Sequence, residues 1–145
     1  MNKNTVNPFR WKSDFSVDIA ELDDDHQMLF ELLNHLRATI ECGEASALPW
    51  IIDDLLQYSI YHFRHEEDMM EECHYPFMEN HKLVHRMLEN RLHDFVKNPE
   101  YKENLEAATW LMGFFAEWLK DHIAGMDKNY SECIQDHEEG VNCAN

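Results

Sequence analysis

His62 and Glu66 stand four residues apart in the run His62-Phe63-Arg64-His65-Glu66. On a helix that spacing leaves about 40° between them, so they share one face. The face is apolar: Leu55 precedes His62 by seven positions, and Met69 and Cys73 follow Glu66 by three and seven. A carboxylate on a buried stripe is costly unless it is paired or bound to a metal. His81 and His85 repeat the spacing, with Leu88 and Leu92 continuing their stripe. His26 has Leu22, Leu29, Phe30 and Leu33 as helical neighbours, and His122 follows Leu111, Phe115, Trp118 and Leu119. A lone histidine on an apolar face is ordinarily a hydrogen-bonded core residue. Five imidazoles and a carboxylate in one core leave too many polar nitrogens for that reading, and metal coordination satisfies them together.

Imidazole suits zinc, copper, iron and nickel, while bridging carboxylates suit a pair of harder ions. Five histidines exceed what one tetrahedral zinc can use, which makes two metals the more economical reading. Cys42, Cys73, Cys133 and Cys143 contain no Cys-x-x-Cys pair, which argues against an iron–sulfur cluster or structural zinc. They read as free thiols in a reducing compartment. Glu71 and His74 form a single Glu-x-x-His, whereas a ferritin-like site needs two with further glutamates. His35 lies half a turn away from His26, and His35, His65, His74, His93 and His137 are all expected at the surface.

The elements that must position these residues are helices. Glycines and prolines, four of each, fall between apolar runs of helical period. Helices are expected over about Asp23 to Cys42, Pro49 to Cys73, Pro76 to Lys97, and Tyr101 to at least Ile123, with Leu48 exposed in the loop before Pro49. Four such helices joined by short loops define an all-α fold, an antiparallel up-down-up-down four-helix bundle. The chain reads as one domain over residues 1–145. An irregular N-terminal arm occupies 1–21, with Phe9, Trp11, Phe15, Val17 and Ile19 laid across the bundle; the bundle spans about 22–130, and a polar tail over 131–145 is expected to fray. A formal charge of −17 with only 12 Lys plus Arg argues against nucleic acid and anionic membranes as partners. No apolar run approaches the roughly 20 residues needed to span a bilayer. The best, Trp110 to Leu119, already contains Glu117. Met1 to Trp11 has no apolar signal core, so a cytoplasmic location is expected.

The segments Leu22-Asp23-Asp24-Asp25-His26, His62-Phe63-Arg64-His65-Glu66-Glu67, His81-x-x-x-His85, and Trp118-Leu119-Lys120-Asp121-His122-Ile123 leading to Asp127 resemble the four ligand motifs of bacterial hemerythrins, in order and spacing. Trp11 followed by Ser16-Val17-Asp18-Ile19 is similar to that family's N-terminal arm. The resemblance covers about Phe9 to Tyr130 and departs at Asp25, where the family often has glutamine. It implies two iron ions (Fe2+/Fe3+) joined by an oxo or hydroxo group. His81, His85 and His122 would bind one iron, His26 and His62 the other, and Glu66 and Asp127 would bridge them. The two-histidine iron would keep a vacant position for dioxygen, walled by Trp118, Leu119 and Ile123. The implied function is reversible dioxygen binding for carriage, storage, or delivery to an oxygen-consuming enzyme or other protein partner. An oxygen or redox sensor and a peroxidase- or oxidase-like enzyme are the alternatives, and the apolar wall favours binding over turnover. One implied ligand conflicts with simple geometry: residues five apart on a straight helix, as His122 and Asp127 are, point about 140° apart. Gly125 between them marks where the helix bends, loosens or ends. Without the resemblance, Asp127 reads as a solvated acid.

Overall fold

The computed structural model describes residues 9–140. Four long helices carry the fold: α1 (Ala20–Glu41), α2 (Leu48–Glu72), α3 (Met78–Lys97) and α4 (Leu105–His122). They alternate in direction, α1 packing on α2 and α4 and α2 on α3, which makes an antiparallel bundle. A π-helical turn, Ile123–Asp127, follows α4 without a break and leads into α5 (Lys128–Glu138). No strand occurs among the described residues.

Local chemistry accounts for the boundaries. Pro49 sits in the first turn of α2, where its missing N–H has no partner to lose. Asn104 caps α4, its Oδ1 accepting from the Ala107 N–H at 3.0 Å. Gly43, at φ 70°, closes the turn after α1 in the left-handed region that glycine enters freely. The core stripe of α1 holds Leu22, Leu29, Leu33 and Leu36, all fully buried, while Ile40 is half-buried.

Three expectations need correction. Leu48 is 1% exposed and opens α2, so it is core and not loop. α3 starts at Met78 and α4 at Leu105, not at Pro76 and Tyr101, because the chain makes turns there before it coils. The segment after Ser131 does not fray at once. It continues as α5 to Glu138, held by buried Tyr130 and Ile134, by Ser131 Oγ donating to the Val17 carbonyl, and by Gln135 Nε2 donating to the Asp18 carbonyl at 2.8 Å. The remainder of the expected tail, 141–145, and the first eight residues of the expected arm lie outside the described residues. From Phe9 onward the arm does lie across the bundle. Phe9 exchanges two hydrogen bonds of 2.7 Å with the Asn34 side chain, Phe15 packs on Phe30 at 5.6 Å, and Val17 and Ile19 are buried.

Candidate metal centre

In an antiparallel bundle the start of α1, the end of α2, the start of α3 and the end of α4 meet at one end. Those are the positions of His26, His62 with Glu66, His81 with His85, and His122. All six are buried, as is Asp127. The ligand-capable atoms form two overlapping groups, Glu66, His81, His85, His122 and Asp127 in one, and His26, His62, Glu66 and Asp127 in the other, each within 4.8 Å internally. The two carboxylates belong to both groups.

The π turn resolves the conflict at Asp127. Its i→i+5 hydrogen bonding widens the helix, so a residue five positions on returns to the same face. His122 Nε2 and Asp127 Oδ1 accordingly stand 3.0 Å apart. Gly125 lies in this turn.

The polar atoms themselves test whether a metal fits. Glu66 Oε2 and both Asp127 carboxylate oxygens are buried without a hydrogen-bond donor, although imidazole nitrogens are close. Glu66 Oε2 lies 3.1 Å from His85 Nε2, Asp127 Oδ1 3.0 Å from His81 Nε2, and Asp127 Oδ2 3.1 Å from His26 Nε2. His122 Nε2 is 3.1 Å from both His81 Nε2 and His85 Nε2. Nitrogens so spaced match neighbouring corners of an octahedron with bonds of about 2.2 Å, near the length of a metal–imidazole bond. A buried set of nitrogen lone pairs and orphaned carboxylate oxygens fits cations better than it fits hydrogen bonds.

The surroundings hold the imidazoles in orientation. His85 Nδ1 is 2.7 Å from Glu67 Oε2, and His62 Nδ1 is 3.0 Å from Asp25 Oδ2. A proton donated from Nδ1 leaves the Nε2 lone pair facing the centre. Glu67 is also gripped by Arg86, which joins Arg64 on buried Glu89. Tyr130 donates from its hydroxyl to Glu66 Oε1 at 3.0 Å and stacks on His81. Phe63 stacks on His85 at 4.0 Å.

Charge follows from this crowding in the metal-free chain. Burial opposes protonation of His26, yet the Asp127 and Glu66 carboxylates beside it outweigh that and raise it to about 10. Burial likewise disfavours His85⁺, but Glu66 and Glu67 lift it to about 9. Glu66 itself is held well below the usual carboxylate range: burial pushes up, and His62, His26 and His85 push down harder. Tyr130 is pushed far up, by burial first and then by the charges of Asp127 and Glu66, so its hydroxyl stays a donor.

Trp118, Leu119 and Ile123 are distributed unevenly. Leu119 and Ile123 are fully buried. Trp118 is half-buried, with its indole stacked on His122 at 4.4 Å and edge-on to Phe63, on the three-histidine side. Of the histidines expected at the surface, His35, His74 and His137 are exposed, while His93 and His65 are half-buried. His65 is drawn in by Asp25, 2.7 Å from its Nδ1. Sequence reasoning missed Asp25 and Glu67 as hydrogen-bond partners of imidazoles, Phe63 as a stacking surface, and Tyr130. The one available signal for Tyr130 was its position three residues after Asp127, on the same helical face.

Comparison with known proteins gives the class. The family described as the hemerythrin HHE cation binding domain matches residues 17–134. A bacteriohemerythrin of Stenotrophomonas maltophilia (strain R551-3) is 30% identical over 127 residues, 88% of this chain and 82% of that protein. A myohemerythrin of Theromyzon tessulatum is 32% identical over 124 residues, 85% of this chain and 91% of that one. A crystal structure of a hemerythrin variant superposes with a TM-score of 0.74 at 26% identity, covering 86% of this chain and 95% of that one. This chain belongs to the hemerythrin family.

Proposed function

We propose that the chain binds dioxygen reversibly at a non-haem di-iron centre, acting in oxygen carriage, storage or delivery. The observation that carries this reading is the sharing of Glu66 and Asp127 between a three-histidine and a two-histidine group. His81, His85 and His122 would hold one iron, His26 and His62 the other, and the shared carboxylates would bridge them, together with an oxo or hydroxo group. When bound, the iron pair would supply reversible two-electron reduction of dioxygen.

The chain's own residues do the rest. Asp25 and Glu67 fix the tautomers of His62 and His85. Tyr130 holds Glu66 by a hydrogen bond. Leu119 and Ile123, buried beside His122 in sequence, serve as the apolar wall that makes water and anions shed hydration before they approach. Trp118 and Phe63 cover the three-histidine side. Binding is favoured over turnover because the Tyr130 hydroxyl is committed as a donor to Glu66 and the Asp25 carboxylate as an acceptor to His62. We read residues 1–145 as one domain. The free thiols of Cys42, Cys73 and Cys133 suit a cytoplasmic location, and no helix among the described residues is long and apolar enough to cross a membrane.

The test is an optical spectrum of the iron-loaded protein cycled between reduced, oxygenated and oxidised forms. An oxygenated band that appears in air and is lost on removing oxygen, through repeated cycles, is the expected result. Irreversible oxidation on the first exposure counts against carriage.

A further inference from the structure

Cys73 follows the last residue of α2, two turns beyond Glu66, and meets the side chain of Cys133 on α5. The two are separated by 60 positions, yet Cys133 Sγ donates to the Cys73 carbonyl at 3.1 Å. The Cys73 thiol donates to the Met70 carbonyl at 3.5 Å and interacts directly with the Cys133 thiol. Both are free; Cys73 is buried and Cys133 half-buried. The pair lies close to the metal end of the bundle: buried Tyr75 is pushed up by its burial and then by Cys133, Cys73 and Asp127 together.

We infer that Cys73 and Cys133 form an oxidisable dithiol, a modification site for hydroperoxide that closes to an intramolecular disulfide and ties α5 to the end of α2. Exposure assigns the order of events. Cys133 is the sulfur an oxidant reaches first, while burial, and then the hydrogen bond with Cys133, pushes the Cys73 thiol up to about 12 and keeps it protonated. The Cys133 thiolate attacks one oxygen of hydrogen peroxide. The O–O bond breaks, an S–O bond forms, and hydroxide leaves to become water with the proton released by the thiol. The Cys73 sulfur then attacks the sulfenic sulfur. An S–S bond forms, the S–O bond breaks, and the second hydroxide leaves with the Cys73 proton as water. The two thiols lose two electrons and the peroxide gains them.

Placement gives the bond a consequence. Glu66 rides on α2 and Asp127 immediately precedes α5. A link between Cys73 and Cys133 therefore joins the two segments that carry the shared carboxylates, and it removes freedom from the unfolded chain across the long loop it closes. This inference does not depend on oxygen binding, because the peroxide is supplied from outside.

The experiment uses the metal-loaded full chain carrying Cys42→Ser and Cys143→Ser, so that only the pair remains. After treatment with hydrogen peroxide, intact mass should fall by two hydrogens, and proteolysis should yield a peptide joining Cys73 to Cys133. Dithiothreitol should reverse both. The oxidised form should melt several degrees above the reduced form. With Cys73→Ser added, oxidation should stop at a Cys133 sulfenic acid that dimedone captures. The same peptide should appear in the unsubstituted chain, which guards against a folding defect in the variants. Conversion of Cys133 to sulfinic acid beside unmodified Cys73, disulfides only between chains, or unreacted thiols would each overturn the inference, even if the oxygenated band forms normally.

Discussion

At the end of the bundle where α1 finishes and α2 begins, the buried side chains include Leu33, Leu36, Leu48, Ile52, Leu55, Leu92, Phe95, Ala108 and Leu111. At the opposite end the same helices bury His26, His62, Glu66, His81, His85 and His122, with Asp127 beside them. The apolar end is stabilised by area removed from water, about 25 cal/mol per Å². It tolerates exchange of one hydrophobe for another of similar volume at a cost usually below about 1.5 kcal/mol. The metal end has no such tolerance, since its buried polar groups depend on one another and on the cations they would share, and removing one leaves others buried and unpaired. One fold thus holds a region that is robust one residue at a time and a region that stands or falls as a set.

The largest expected effect comes from breaking the set at a shared member. Glu66→Ala should take metal content from about two irons per chain toward none, read by metal analysis of the purified protein. Leu33→Ala at the other end should cost about 2–5 kcal/mol of stability and leave the iron in place. A Glu66→Ala protein that still holds two irons would falsify the bridging assignment.

Next in size is a difference in pH response. Without metal, His26 and His85 have folded pKa values of about 10 and about 9, above the ordinary 6.5. Their stabilising contribution is therefore complete below about 6.5 and is lost as pH rises through 9 to 10. Glu66 is shifted the other way, so its contribution is present above about 4.5 and lost as pH falls. The metal-free chain should melt highest between those limits and progressively lower on the alkaline side. The metal-loaded chain, whose imidazoles are already deprotonated by coordination, should lack the alkaline decline. Thermal midpoints of both forms from pH 5 to 10 decide it; parallel curves would show that the cluster contributes no such difference.

Asp25→Asn tests the hydrogen bonds that orient the set. It keeps the shape but weakens acceptance from His62 and His65, and a loss of about tenfold in metal affinity is expected. An unchanged affinity in a chelator competition would mean that packing alone orients His62. The smallest effect is kinetic. Leu119→Ala should retain iron but speed decay of the oxygenated band in air several-fold, whereas Leu83→Ala, at a position 59% exposed, should not. Equal decay rates would make Leu119 ordinary core.

Four helices and six cluster residues were legible because both depend on helical period and on residue type; Asp127 runs against helical period and entered only through the family resemblance. Leu48 was misplaced because loops and first turns share composition, and only packing against the core distinguishes them. His65 was misplaced for a different reason. Its own helix gives it an outward face, and it is Asp25, reaching across from α1, that draws it in. Partners on neighbouring helices leave no trace in a single helix's periodicity, so Glu67 and the contact of Cys73 with Cys133 were equally hidden, and Tyr130 could be found only through its spacing from Asp127. The tail was misjudged because its buried residues fall out of step with those of α4.

That last mismatch has a simple description as phase. The buried stripe of α4 runs Leu111, Phe115, Leu119, His122, and an unbroken α-helix would carry it on to 126, 129 and 133. The buried positions are Asp127, Tyr130 and Ile134, each delayed by one residue. The π turn is thus one supernumerary residue absorbed as a bulge, after which the count resumes. A chain lacking Gly125 would be expected to run from α4 into α5 as plain α-helix, with Asp127, Tyr130 and Ile134 still facing inward. With Gly125 present, the bulge therefore keeps Asp127 facing inward despite the extra residue, five positions from His122 where a plain α-helix would need four.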